Sequence, residues 1–548
     1  MGTAISAQIT ADVIYINGNI YTVDDAFTRM SVIATKGDKI VYVGNSSDET
    51  DHVINNAAKI VDLKGKTVIP GLIEGHMHFQ SVGQVSLNVN GFKLPKEEIL
   101  ELVSQRVKSL KPGQWIRGGG WDHMQWPDKN WPTKEELDAV SPNNPVALDR
   151  IDLHTLWVNS KALDLAKITN GTPDPKGGEI VRDKDGGVVG ILIDTARDDV
   201  FGVIPPISDE VKMKAFLLAQ EECFSYGLTS IFDAGTPFGD IMLLKKAYEN
   251  DELKIRTYEL LSTWDGSDVQ YINAGLKPEK GLYNNRLSIN AVKIFVDGTI
   301  GSRSAYFFEE YSDRPGHRGK SIYTDEELYK LVARAGKHGF QVATHAIGDA
   351  AIRQVMDVYK RVQNEQALTD PRFRIEHFSV PRPEDIPEAV KLGFIPSIQA
   401  CGAASDVSVL IARIGPERLK TVFPWREIIA AGGYVVGGSD ANVNLLNPYH
   451  GLCAGITMAD SSGNPSGFPR AGMTREESLK SFTIWAAKGQ FEENIKGSLE
   501  VGKLADFVVI DRDIMSCNTT DIWHTQVLLT ILGGEVVFDR KDTDCSKR

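Results

Sequence analysis

Residues Thr324 to His345 read TDEELYKLVARAGKHGFQVATH, a stretch that contains one whole helix followed by one whole strand. Thr324 with Glu327 three places on forms a capping box, in which a hydroxyl and a carboxylate each satisfy a backbone N–H left free by the first helical turn. Leu328, Leu331, Val332 and Ala335 recur at the i, i+3, i+4 and i+7 spacing that collects apolar side chains on one helical face. Gly336 and Gly339 close the helix, and Phe340 to Thr344 is the strand that follows, ending at His345.

The same grammar recurs at Phe373 to Glu376, Phe394 to Gln399 and Tyr434 to Gly438, and Thr474-Arg475-Glu476-Glu477 caps a helix beyond the last of them. Counting backwards, Ala291 to Phe295, Ile255 to Leu261, Leu228 to Phe232 and Thr67 to Ile69 are the earlier strands. Strands alternating with helices predict a parallel sheet covered by crossover helices. The count is eight, an α/β fold of the (β/α)8 TIM barrel type, provided that about 80–208 is a large insertion after strand 1. Ala11 to Val23, Lys39 to Val43, Ala505 to Asp511 and Val527 to Val537 are β-rich and broken by turn formers, so both termini are expected to pair into one β-domain. The expected division is 1–67 and 489–548 for that domain and 68–488 for the barrel.

Charge and composition narrow the function. The 548 residues carry 60 Lys plus Arg against 73 Asp plus Glu, a net charge of -13, with no basic stretch to track a phosphate backbone, so no nucleic acid partner is expected. No apolar run approaches the roughly 18 residues of a membrane span, and no membrane partner is expected. Five scattered cysteines without a CxxC pair argue against a disulfide framework or a thiolate metal site and fit a reducing, cytoplasmic location.

Gly71-Leu72-Ile73-Glu74-Gly75-His76-Met77-His78 places two imidazoles on one side of an extended chain. His345, His377, Asp440 and Lys293 also fall at or near the ends of expected strands, and in a (β/α)8 barrel those ends converge on the face where active sites form. Four neutral imidazoles and a carboxylate suit a borderline divalent ion such as zinc, with a position open for water. Lys293 is the odd member: an ammonium would be repelled by divalent cations, so its amine must be neutral or modified.

Taken together, these segments resemble the amidohydrolase superfamily, amidohydrolase family 3, in the branch of N-substituted formamide deformylase-like (YtcJ-like) proteins. The matching stretches are Val68 to His78, Val292 to Arg303, Thr344 to Asp349, Arg374 to His377 and Gly438 to Asp440. The resemblance implies two divalent metal ions, with zinc expected. Lys293 would be converted by CO2 to a bridging carbamate; His76, His78 and Asp440 would serve one ion, His345 and His377 the other. It also implies that the terminal strands form a β-sandwich, and that a metal-activated water attacks a linear amide or N-substituted formamide while Asp440 acts as general acid and base.

Five of the nine tryptophans, Trp115, Trp121, Trp126, Trp131 and Trp157, lie in the insertion. They form either an aromatic wall favouring a small-molecule substrate with an apolar or aromatic substituent, or the insertion's own core. Trp121, Arg150, His154, Ser302 and Arg303 are the candidate substrate contacts, and a homodimer is a further expectation. Three other readings compete: deamination of a cyclic base, esterase or lactonase chemistry on the same site, and a catalytically silent barrel acting as scaffold or regulator. Ring deamination is associated in this superfamily with a Glu three residues after the strand-five histidine, where this chain has Gly348.

Overall fold

In the computed structural model the capping box at Thr324 starts a helix, Asp325–Lys337, with both reciprocal hydrogen bonds formed. Leu328, Val332 and Ala335 are buried, and the next strand, Gln341–Ala346, is buried throughout. The structure describes residues 10–45, 58–92, 94–150, 155–176, 178–405, 407–459 and 472–541. Contacts divide the chain into two compact units, Gln80–Leu218 and the remainder, Met1–Phe79 with Ala219–Arg548.

The larger unit holds an eight-stranded parallel barrel. Its strands are β1 Leu72–Met77, β2 Leu228–Thr236, β3 Arg256–Ser262, β4 Leu287–Phe295, β5 Gln341–Ala346, β6 Arg374–His377, β7 Ile395–Ile398 and β8 Val436–Gly437. Each pairs in parallel with the next. Just beyond β8 the chain meets β1: Asp440 N–H donates to the His76 carbonyl at 2.8 Å and His78 N–H to the Ala441 carbonyl at 2.6 Å. This seam needs glycine, because a Cβ on Gly75 would lie 2.4 Å from the Gly437 carbonyl oxygen.

One expected strand is corrected. Thr67 to Ile69 is not the first barrel strand: Thr67–Pro70 pairs antiparallel with Phe507–Ile510 and parallel with Asn19–Tyr21, in the β-domain. Val68, Ile69, Leu72 and Ile73 are all buried, so a run interrupted only by Pro70-Gly71 feeds two different sheets. Burial on both faces erases the alternation that would have separated them.

Both termini build the β-sandwich. A four-stranded sheet runs Lys39–Gly44, Val32–Lys36, Val13–Ile16, Lys59–Asp62. A six-stranded sheet runs Glu535–Asp539, Val527–Leu532, Phe507–Ile510, Thr67–Pro70, Asn19–Tyr21, Arg29–Met30. Tyr15, Ile33, Val68, Phe507, Val509 and Ile531 share one core, drawn from the two ends of the chain. A buried ion pair ties sandwich to barrel: Arg256, opening β3, donates from Nε and Nη2 to the two carboxylate oxygens of Asp506 at 2.7 and 2.9 Å.

The smaller unit is a six-stranded mixed sheet with its own helices, among them Lys96–Lys108 and Lys134–Val140. Trp121, Trp126 and Trp157 are buried in its core beside Val146, Leu148 and Ile191, so these three rings are packing material. Trp131 is more exposed and stacks on His123, with centroids 4.0 Å apart.

Candidate active site

Five barrel strands deliver the six side chains singled out by the sequence. His76 lies in β1 and His78 just after it, Lys293 in β4, His345 in β5, His377 at the end of β6, and Asp440 three residues past β8. They converge. His76 Nε2 lies 3.6 Å from Asp440 Oδ1 and 3.4 Å from Lys293 Nζ, and His78 Nε2 lies 3.4 Å from the same Asp440 oxygen. The rings of His345 and His377 are 4.3 Å apart and those of His76 and His377 5.2 Å. One ligand atom each from His76, His78 and Asp440 falls within 4.8 Å of the others, the spacing of a metal-binding trio.

The local backbone that aims these groups is unusual. His377 and Asp440 both adopt positive φ, 74° and 59°, a region that costs non-glycine residues on the order of 1–3 kcal/mol. His377 takes this conformation as the last residue of β6, and Asp440 three residues beyond β8.

Each buried imidazole has one nitrogen committed to the protein. His76 Nδ1 meets Glu376 Oε2 at 2.6 Å, His377 Nδ1 meets Gln399 Oε1 at 2.7 Å, and His345 Nε2 faces the Gly298 carbonyl at 3.4 Å and Asp297 Oδ1 at 3.5 Å. The other nitrogen of each ring is left for a ligand, as metal-binding histidines require. Burial pulls the His76 pKa down to about 3 and holds His345 and His377 below the ordinary imidazole range, so all three are neutral donors near pH 7.

Burial alone would raise the Asp440 carboxyl, but its hydrogen bond to His78 and the surrounding imidazoles hold it well below the usual range. Lys293 is 1% exposed, its Nζ sits 4.6 Å above the Phe295 ring, and among the described residues no carboxylate comes within ion-pairing distance. Its pKa is pushed down to about 8, chiefly by burial, so a fraction of it is a free amine near neutrality. Neutral imidazoles, an ionised aspartate and an unpaired buried lysine form a donor set that fits divalent cations.

The candidate substrate contacts fare differently. Trp121 is enclosed in the smaller unit's core with its indole N–H donating to the Leu148 carbonyl at 2.8 Å, which leaves it no face for a ligand and corrects that expectation. Arg150 pairs with Asp122 in the same unit, and His154 lies outside the described residues. Arg303 is drawn to Asp313 at 2.9 Å and Ser302 bonds to Thr299 and Ser304, so neither meets the cluster. Glu376, Gln399 and Asp297, which hold the histidines, were given no role from sequence, although Arg374-Ile375-Glu376 at i, i+2 spacing does put an ion pair on one strand face.

The description of the amidohydrolase family matches residues 59–538. The chain belongs to the amidohydrolase family. Protein LONG AFTER FAR-RED 3 of Arabidopsis thaliana is 31% identical, covering 97% of this chain and 92% of that one. The putative amidohydrolase YtcJ of Bacillus subtilis is 29% identical over 96% and 99%, and the N-substituted formamide deformylase of Arthrobacter pascens 29% over 96% and 98%. Among solved structures, an uncharacterized metal-dependent hydrolase from Pyrococcus horikoshii OT3 superposes with a TM-score of 0.78 at 26% identity, covering 92% of this chain and 99% of its own. In this amidohydrolase a side chain at position 348 is sterically barred, because a Cβ there would lie 2.0 Å from the Tyr306 carbonyl oxygen. The Glu associated with ring deamination therefore has no place. No helix among the described residues is long and apolar enough to cross a membrane.

Proposed function

We propose that this chain hydrolyses the carbon-nitrogen bond of a linear amide of the N-substituted formamide or N-acyl amine kind. The observation that carries the reading is the meeting of His76, His78, Lys293, His345, His377 and Asp440 at the ends of five barrel strands. The relative named as an N-substituted formamide deformylase, alike over nearly the whole length, supports the choice of bond.

His76, His78 and Asp440 would hold one divalent ion, with zinc expected, and His345 and His377 a second. Lys293 would bridge them as a carbamate, its neutral Nζ adding to CO2 with loss of a proton. When bound, such ions acidify a water and polarise the scissile carbonyl. The rest is the work of the chain. Asp440, ionised and hydrogen-bonded to His78, accepts the proton of the attacking water on its carboxylate and hands it to the departing nitrogen. The Phe295 ring, beside both Lys293 Nζ and His345, keeps that side of the site apolar.

Trp264, 71% exposed just after β3, and Leu445, 67% exposed in the loop after β8, stand at the same end of the barrel. They favour an apolar or aromatic substituent on the substrate. A panel of N-formyl and N-acyl amines offered to metal-reconstituted protein tests the reading: release of amine is expected, and turnover that persists in a chelated sample refutes it. Metal analysis of the purified chain separates this enzyme from a silent barrel, which would bind none.

A further inference from the structure

The barrel interior beneath the site contains an ion pair that the reaction does not use. Arg374 and Glu376 leave β6 on the same face and are fully enclosed, with Nε donating to Oε1 at 2.7 Å and Nη2 to Oε2 at 3.0 Å. The guanidinium carbon lies over Phe232, 3.8 Å from the ring centroid, and Nη2 also donates to the Gly75 carbonyl at 2.7 Å. Glu376 Oε2 then reaches His76 Nδ1 at 2.6 Å. Strands β1 and β6 are not neighbours; β7 and β8 stand between them on the shorter way round. These bonds therefore cross the barrel, holding both the His76 ring and the carbonyl of the residue before it.

We propose that Arg374 and Glu376 are positioning residues for metal binding, acting through His76. A carboxylate can only accept, so Nδ1 must carry the hydrogen, and the Nε2 lone pair is turned toward Lys293 and Asp440, where an ion would sit. The pairing with Arg374 keeps Glu376 in that accepting form and fixes its rotamer with two parallel bonds. His377 rests on an amide oxygen, and His345 on a carbonyl oxygen with the Asp297 carboxylate 3.5 Å away, whereas His76 has a 2.6 Å bond to a carboxylate that is itself clamped by an arginine. This inference rests on the metal-site reading above.

The test compares two double variants that both remove the buried charges and differ in whether an acceptor remains for His76. In R374M/E376L nothing accepts from Nδ1. In R374M/E376Q the amide oxygen still can. Apolar replacement of a buried ion pair is often neutral for stability, and in R374M/E376Q the one polar group that stays keeps His76 as a partner, so the fold is expected to survive in both. Zinc affinity by chelator competition and the visible spectrum of the Co2+-loaded protein are the readouts. R374M/E376L is expected to bind zinc about 10–100-fold more weakly than wild type, with an altered Co2+ spectrum, and R374M/E376Q to recover most of the loss. The single variant E376Q changes no volume; there Arg374 competes for the one remaining oxygen, and a severalfold loss is expected. Wild-type affinity in E376Q, or equal losses in the two double variants, overturns the proposal. A wild-type protein that takes up no metal overturns the site reading itself, and that outcome is visible in the control alone.

Discussion

Asp440 concentrates the chemistry in one carboxylate, which is near two imidazoles and stands on a backbone that only surrounding structure can enforce. Asp440→Asn keeps the shape and removes the base, and kcat is expected to fall by about 10²–10⁴, read from steady-state kinetics on the best amide of the panel. Lys293→Ala removes the group proposed to bridge the ions; metal content per chain and turnover should fall together, and elemental analysis showing full metal with no activity would count against a bridging role. The residues carrying these predictions drew attention in the sequence because each is a His, Asp or Lys at or near the end of an expected barrel strand. Their supporting partners were harder to read. Glu376 and Gln399 are ordinary polar residues until the barrel closes and shows which imidazole each one faces.

Among the elements, strand order was readable wherever a capped helix separated two apolar runs, as at Thr324 and Thr474. It failed at Thr67–Pro70, where two strands of different sheets follow each other with no helix between them. The Arg256–Asp506 pair holds those sheets in relation, both partners buried. Removing one partner leaves the other charged and enclosed, so Asp506→Ala is expected to cost about 3–5 kcal/mol in chemical denaturation. A second buried pair works against stability. Asp233 and Glu259 stand opposite each other on β2 and β3. Burial raises Asp233 to about 6; burial and the Asp233 charge raise Glu259 well above its usual 4.5. The folded protein thus retains protons that the unfolded chain has released, and stability falls as pH climbs from the ordinary carboxyl range through about 6. Glu259→Gln keeps an acceptor for the Thr236 hydroxyl and removes that charge. The thermal midpoint is expected to rise at pH 8 by on the order of 2 °C and to change little at pH 4. An equal shift at both values would point to packing instead.

For the molecule as a whole, the segment from Gln80 to Leu218 draws its two hydrophobic clusters entirely from its own residues. Expressed alone, it is expected to fold with a cooperative thermal transition; a non-cooperative melt with dye-binding apolar surface would show that it depends on the rest of the chain. Its tryptophans could not be assigned from composition, since an aromatic cluster looks the same whether it packs inward or lines a cleft. Only neighbours such as Leu148 and Ile191 decide that. The larger unit also depends on both ends of the polypeptide, and its barrel shuts through the backbones of His76 and Asp440, two of the residues proposed to hold the metal. Glu74 makes the same bridge with the N–H of Ser439, 365 positions later. Closure of the barrel and completion of the proposed site therefore coincide: a ribosome adding roughly 5–20 residues per second leaves the first histidines waiting, on the order of tens of seconds, before their partner emerges. Until then the proposed hydrolytic centre is incomplete.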